Sequence, residues 1–206
     1  GGKSAWRYRS QPAELVLVTG DSASEVAERC GALATSVESL ADIARASQLG
    51  LNANAKARLA IVANSKTDLA DKLKQAASTV VNSPAKSFST PNAVHFSPDC
   101  SKAGAVAFLF PGQGSQYVNM GADVAMFFDA ARDVWDEAAN TKFDGVPLHE
   151  VVFPIPAFSD DVRETQAKKL TQTEWAQPAL GITSLAVARV LAEVGAKPDI
   201  VAGHSF

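Results

Sequence analysis

The residues most able to do chemistry stand at the end of the chain and in one turn near its middle. Gly203-His204-Ser205-Phe206 supplies four positions of a Gly-x-Ser-x-Gly pattern, the sharp turn that lifts a serine nucleophile above the end of a strand. Small flanking residues let the backbone take strained angles and let a substrate approach Oγ. The second candidate is Phe110-Pro-Gly-Gln-Gly-Ser-Gln116. It is not a Walker loop, because no Gly-Lys-Ser/Thr follows, and Tyr117 stands where a dinucleotide fingerprint needs its third glycine. What remains is a turn whose N–H groups face outward near the end of a strand. If the strands leading into the two motifs are neighbours, this turn lies beside Ser205 and can donate to the same oxyanion.

The elements around the motifs must provide that placement. Ala105–Phe110 is an unbroken apolar run closed by Pro111 and Gly112, which predicts a strand buried on both faces. "DIVAGHS" predicts a second buried strand leading into the serine. Between them, 120–141 has Val124, Phe127, Phe128, Ala131 and Trp135 roughly in helical phase. "VPLHEVVFP" is a short apolar piece between turns, and "DDVRETQAKKL" is a polar helix. Residues 173–198 predict a long apolar helix stopped by Gly195 and Pro198, with Pro178 near its start or kinking it. Strand, helices and parallel strand define an α/β layer fold with its polar ends at the carboxyl edge of the sheet.

The first half of the chain carries no such motif. "ELVLVTG" reads as a strand, and 21–47 as one amphipathic helix with Val26, Cys30, Leu33, Val37 and Leu40 on its apolar side. Ser22 or Ser24 caps its start. A second strand follows at 57–64, a second helix at 65–78 with Leu69, Leu73 and Ala76 inward, and a short strand at "NAVHFS". This is a small α/β unit of roughly 80 residues, marginal as an independent folder. The polar, turn-rich Ser97–Gly104 marks a boundary. The chain therefore divides into a connector (1–13), the α/β unit (14–96), a linker (97–104) and a second α/β segment (105–206).

Composition excludes several classes. Of 206 residues, 47% are hydrophobic and 20% charged, so a core can form, and the net charge of -3 gives no reason to bind nucleic acid or an anionic membrane. No apolar run reaches a membrane span and no signal core opens the chain, which points to the cytoplasm. The two cysteines, Cys30 and Cys100, make no disulfide framework, and His95, His149 and His204 have no ligand spacing, so no metal site is expected.

"FLFPGQGSQYVNMG", "LTQTEWAQPALGITSLAVARVL" and "GHSF" resemble, in order and spacing, the first part of malonyl-CoA:acyl-carrier-protein transacylases. They look most like the acyltransferase domains of iterative polyketide synthases. The unit before Ala105 resembles the ketosynthase-to-acyltransferase linker domain of such megasynthases, and "WRYRSQPAELVLVTG" the end of a ketosynthase running into it. Phe206 is similar to the residue found after the serine in synthases of polyunsaturated fatty acids and enediynes. The resemblance implies an α/β-hydrolase-like core with a parallel sheet and Ser205 as the nucleophile that takes the acyl group from coenzyme A. The backbone N–H groups of Gln113 and Phe206 would form the oxyanion hole, Gln177 would line the site, and His204 would stand beside the nucleophile without being the general base. It implies malonyl-CoA as substrate, no tightly bound cofactor, and two partners: an acyl carrier protein bearing phosphopantetheine and an adjacent ketosynthase. The family's general-base histidine and carboxylate-binding arginine lie downstream of the matching positions, so the resemblance implies a segment that stops at its nucleophile. Phe206 would crowd an α-branched substrate, favouring malonyl over methylmalonyl. Two other readings remain open: a structural linker and docking platform, and a serine hydrolase, for which "FPGQGSQ" is a poorer oxyanion loop than a His-Gly-Gly type.

Overall fold

The computed structural model describes residues 12–101, 104–143 and 145–204. Two compact units divide the chain, Gly1–Ala103 and Gly104–Phe206.

In the first unit, strand β1 (Glu14–Gly20) leads to helices α1 (Ala23–Ala34) and α2 (Leu40–Leu49). Then come β2 (Ala57–Ala63), α3 (Lys66–Asn82), β3 (Phe88–Ser89) and β4 (Val94–Ser97). The strands form one antiparallel sheet in the order β1-β2-β4-β3. Alternation along the strands sends Val16, Val18, Leu59, Ile61, Val94 and Phe96 to one face, where they pack on Val26 and Cys30 of α1 and on Leu69, Leu73, Ala76 and Val80 of α3. The helices start where serine side chains accept a backbone N–H three residues on: Ser22 from Glu25, Ser39 from Asp42, Ser65 from Asp68. The single helix expected over 21–47 is two. Ser36 accepts from the Glu38 N–H and Ser39 from the Asp42 N–H, and these local bonds compete with helix continuation. Val37, in the break, is 92% exposed rather than part of the apolar face. The outer edge of β1 meets α2: the Leu17 N–H donates to Ser47 Oγ (3.1 Å), and Gln48 Nε2 donates to the Leu15 carbonyl (2.7 Å).

The second unit runs β5 (Ala107–Phe110), α4 (Ala122–Phe127), α5 (Asp129–Ala139), β6 (Lys142–Phe143), β7 (Val146–Pro147), α6 (Leu148–Val152), α7 (Asp160–Thr171), α8 (Thr173–Glu193) and β8 (Ile200–Gly203). β5 and β8 pair in parallel, Ala107 with Ile200 through Phe110 with Gly203, while β6 and β7 form a small antiparallel ladder. The core lies among helices. Trp135, Leu148, Val152, Leu170, Trp175 and Leu180 are buried together. Trp135 meets Phe153 edge-on at 4.7 Å between ring centroids, and the Lys169 ammonium stands 4.8 Å over the Trp175 ring.

Two expectations change here. The helix expected over 120–141 breaks at Phe128, whose extended backbone (φ -111°, ψ 122°) separates α4 from α5. Ala131, Val134 and Trp135 point inward while Phe128 turns out. The second correction concerns the strands, which are not buried on both faces. Leu109 is 77% exposed, Ile200 58% and Val201 62%. Only the Phe108 and Phe110 side of β5 is half-covered, toward a cavity that it shares with α4 and α8. A two-stranded ribbon with helices against one side leaves its other side open, however apolar the run.

Candidate active site

Two parallel strands of equal register end together, so the residues just past their ends are neighbours. Phe110 pairs with Gly203, and the His204 N–H donates to the Phe110 carbonyl at 3.1 Å. The Pro111–Gln116 turn thus begins beside Gly203-His204, and the two strands leading into the motifs are neighbours. Ser205 and Phe206 lie outside the described residues. His204 is exposed.

The turn is built from its own polar groups. The Ser115 N–H donates to the Gly112 carbonyl (3.2 Å), and the Gly114 N–H donates to Gln116 Oε1 (2.7 Å). Gly114 sits at φ +106°, a conformation that a side chain resists. Gly112 is buried and Gln113 exposed. Among the described residues the Gln113 N–H has no acceptor, while its side chain reaches away from the turn: Nε2 donates to Thr173 Oγ1 at 3.2 Å.

Thr173 is the first residue of α8, and Gln177 lies one turn further along. Both are exposed, and residues four apart share a helix face. α8 continues through Pro178 without ending. Proline's missing N–H and its ring clash are tolerated more readily near a helix start than in the middle. The helix stops at Val194, followed by Gly195 at φ +82°, so the expected stop signal is used. The structure therefore brings Gln113 and His204 to the ends of paired strands and joins Gln113 to the helix that carries Gln177. His95 lies in the other unit, its Nδ1 3.0 Å from Ser89 Oγ, and His149 is on α6.

Sequence reasoning missed two residues that hold this region. Thr173 lies inside a recognised motif, and its signal was its spacing of four from Gln177. Gly121 starts α4 at φ +73°, and a Cβ placed there would stand 2.9 Å from Thr183 Cγ2 on α8. The turn after Gln116 is also fixed by the Asn119 N–H, which donates to the Val152 carbonyl at 2.7 Å. Among the described residues no cluster of three or more His, Cys, Asp or Glu is placed to hold a metal, and no helix is long and apolar enough to cross a membrane.

Comparison with known proteins fits this geometry. Residues 107–206 match the family described as the acyl transferase domain, beginning with the first residue of β5. The malonyl CoA-acyl carrier protein transacylase of Bacillus subtilis is 42% identical over 101 residues, which are 49% of this chain and 28% of that enzyme. A polyunsaturated fatty acid synthase polypeptide from Thraustochytrium is 33% identical over 110 residues, 50% of this chain and 4% of that one. The solved acyl transferase domain of ZmaA superposes with a TM-score of 0.77 at 27% identity, over 95% of this chain and 42% of that chain. The structural likeness thus takes in both units, whereas these two sequence matches each cover about half of the chain. The chain spans less than a third of the length of either curated relative.

Proposed function

We propose that this protein transfers a malonyl group from malonyl-CoA to the phosphopantetheine thiol of an acyl carrier protein, with Ser205 as the relay. The observation that carries the reading is the parallel pairing of β5 with β8, which sets the Pro-Gly-Gln-Gly turn at the strand end that leads into Ser205, with a Gln113 N–H that has no acceptor among the described residues. The match of residues 107–206 to the acyl transferase domain supports it.

In this reading Ser205 Oγ attacks the thioester carbonyl while a general base takes its proton. The developing oxyanion accepts from the N–H groups of Gln113 and Phe206. The C–S bond breaks, coenzyme A leaves as its thiol, and a malonyl-serine ester remains. The carrier protein's thiol then attacks the ester, and Ser205 regains its proton. Gln177 and His204 line the approach to the reacting carbonyl. Phe206 beside the nucleophile disfavours an α-branch, which selects malonyl over methylmalonyl. We further read residues 14–96 as a linker domain that follows a ketosynthase, with 1–13 as its connector and 97–104 leading into the acyltransferase segment from 105. We read the synthase as one of polyunsaturated-fatty-acid or enediyne type, a reading that the polyunsaturated fatty acid synthase relative supports.

The test is intact mass of the full-length protein after incubation with malonyl-CoA. The expected result is one malonyl adduct, absent from Ser205→Ala and discharged by carrier protein. An adduct that persists in Ser205→Ala removes the serine from the mechanism. An adduct that water discharges as fast as carrier protein does would make the protein a hydrolase.

A further inference from the structure

We infer that Thr173 is a positioning residue for acyl transfer: its hydroxyl clasps the Gln113 side chain and so fixes the direction of the Gln113 N–H. This rests on the reading of the protein as a malonyl transferase. After Gly112 the turn has four N–H groups, those of Gln113, Gly114, Ser115 and Gln116. Those of Gly114 and Ser115 are spent, on Gln116 Oε1 and the Gly112 carbonyl. Among the described residues those of Gln113 and Gln116 keep no acceptor, and Gln113 stands nearer in sequence to the strand end that faces Gly203.

A single N–H serves an oxyanion only if its direction is held, because preorganisation is what makes such donors effective. Inside the turn, the bonds tie the chain to itself. Gly114, at φ +106° with open space where a side chain would stand, packs against nothing that would brace the turn beside Gln113. Among the described residues, the bond from Gln113 Nε2 to Thr173 Oγ1 is the side-chain hydrogen bond that joins residues 111–116 to another element. It spans 60 positions of sequence. Thr173 is free for this task. The residue before it, Gln172, takes the cap position with no side-chain cap bond, so the threonine hydroxyl is not needed to start the helix. The partner element is rigid, since Trp175 and Ala176 anchor the first turn of α8 in the core. The same clasp sets the turn against the helix face that bears Gln177.

The consequence is kinetic. The oxyanion exists in the transition state and not in bound malonyl-CoA, so a misdirected N–H lowers kcat and leaves KM nearly alone. The experiment compares the full-length wild type with Thr173→Val, Thr173→Ser, Gln113→Met and the Thr173→Val/Gln113→Met double variant, with malonyl-CoA and carrier protein as substrates. Thr173→Val is expected to lose about three- to tenfold in kcat, the equivalent of one neutral hydrogen bond. KM for malonyl-CoA should stay within about twofold. Thr173→Ser, which keeps the hydroxyl, should restore kcat. Gln113→Met keeps the backbone N–H and loses the clasp from the other side, so it should match Thr173→Val, and the double variant should be no slower than either single one. Losses that multiply in the double variant, a serine that does not rescue, or an unchanged kcat would each overturn the clasp. If Ser205 is acylated at full rate in Thr173→Val, the clasp alone fails. If the wild type forms no adduct, the transfer reading fails and takes the clasp with it.

Discussion

Gly121 shows what a single missing side chain does for this region. Its φ of +73° is costly for any residue with a Cβ, and that Cβ would press on Thr183 Cγ2 at 2.9 Å. Both penalties act in Gly121→Ala, which is expected to destabilise the protein by about 1–3 kcal/mol in chemical denaturation. Adding Thr183→Ala removes the contact but not the backbone strain, so only part of the loss should return. Full recovery would assign the whole cost to packing. Nothing in the types of neighbouring residues announces this contact, because it depends on how closely α4 approaches α8. The Pro-Gly-Gln-Gly string, by contrast, announced a turn with outward N–H groups, while Gln113 as the donor was implied by the family resemblance. Its tie to Thr173 was not legible, since a hydrogen bond across 60 positions has no local signature.

The helix starts of the first unit carry their own electrostatics. At the head of α3, Asp68 bonds the Lys72 ammonium at 2.8 Å and also accepts from the Asn64 N–H. The bond to Lys72 comes first among the causes that hold its carboxyl below the usual carboxylate range. A depressed folded-state pKa contributes stability that is present above the unfolded value, near 4, and is lost as pH falls through the folded one. Lys72→Met should therefore lower the urea midpoint near neutral pH, and its gap from the wild type should narrow on acidification from about pH 6 to about pH 3. A constant gap would mean that Lys72 acts through packing or through its bond to the Val62 carbonyl. At this scale the longer strands and most helix cores were readable from apolar runs and periodicity, as Leu69, Leu73 and Ala76 show, whereas the two-residue strands β3, β6 and β7 were not. The breaks at Ser36–Ser39 and at Phe128 were not, because the apolar phase continues roughly across both while the backbone does not. The expected burial of β5 and β8 failed for a different reason: an apolar run tells what a strand prefers to touch, not how many layers the described chain places around it.

Across the whole chain, the two cysteines report on different depths of the first unit. Cys30 is 0% exposed, and burial pushes its thiol up to about 12, whereas Cys100 is partly exposed. A thiol reagent at mildly alkaline pH should label Cys100 quickly and Cys30 only as fast as the unit opens. Urea should accelerate the second reaction and leave the first nearly unchanged. Two fast thiols would mean that α1 does not stay docked on the sheet. The likeness to the ZmaA acyl transferase domain, which spans 95% of the chain, makes the first unit part of a recurring structure although it bears none of the proposed chemistry. Its sheet shows how it keeps to itself. Ser47 and Gln48 of α2 occupy hydrogen-bonding groups on the outer margin of β1, and at the opposite margin β3 is two residues long. Among the described residues neither end offers a long row of open amides to an incoming strand. Crowding such units together, even at the high local concentration of a large assembly, would bring side-chain surfaces into contact without letting the sheets merge into one.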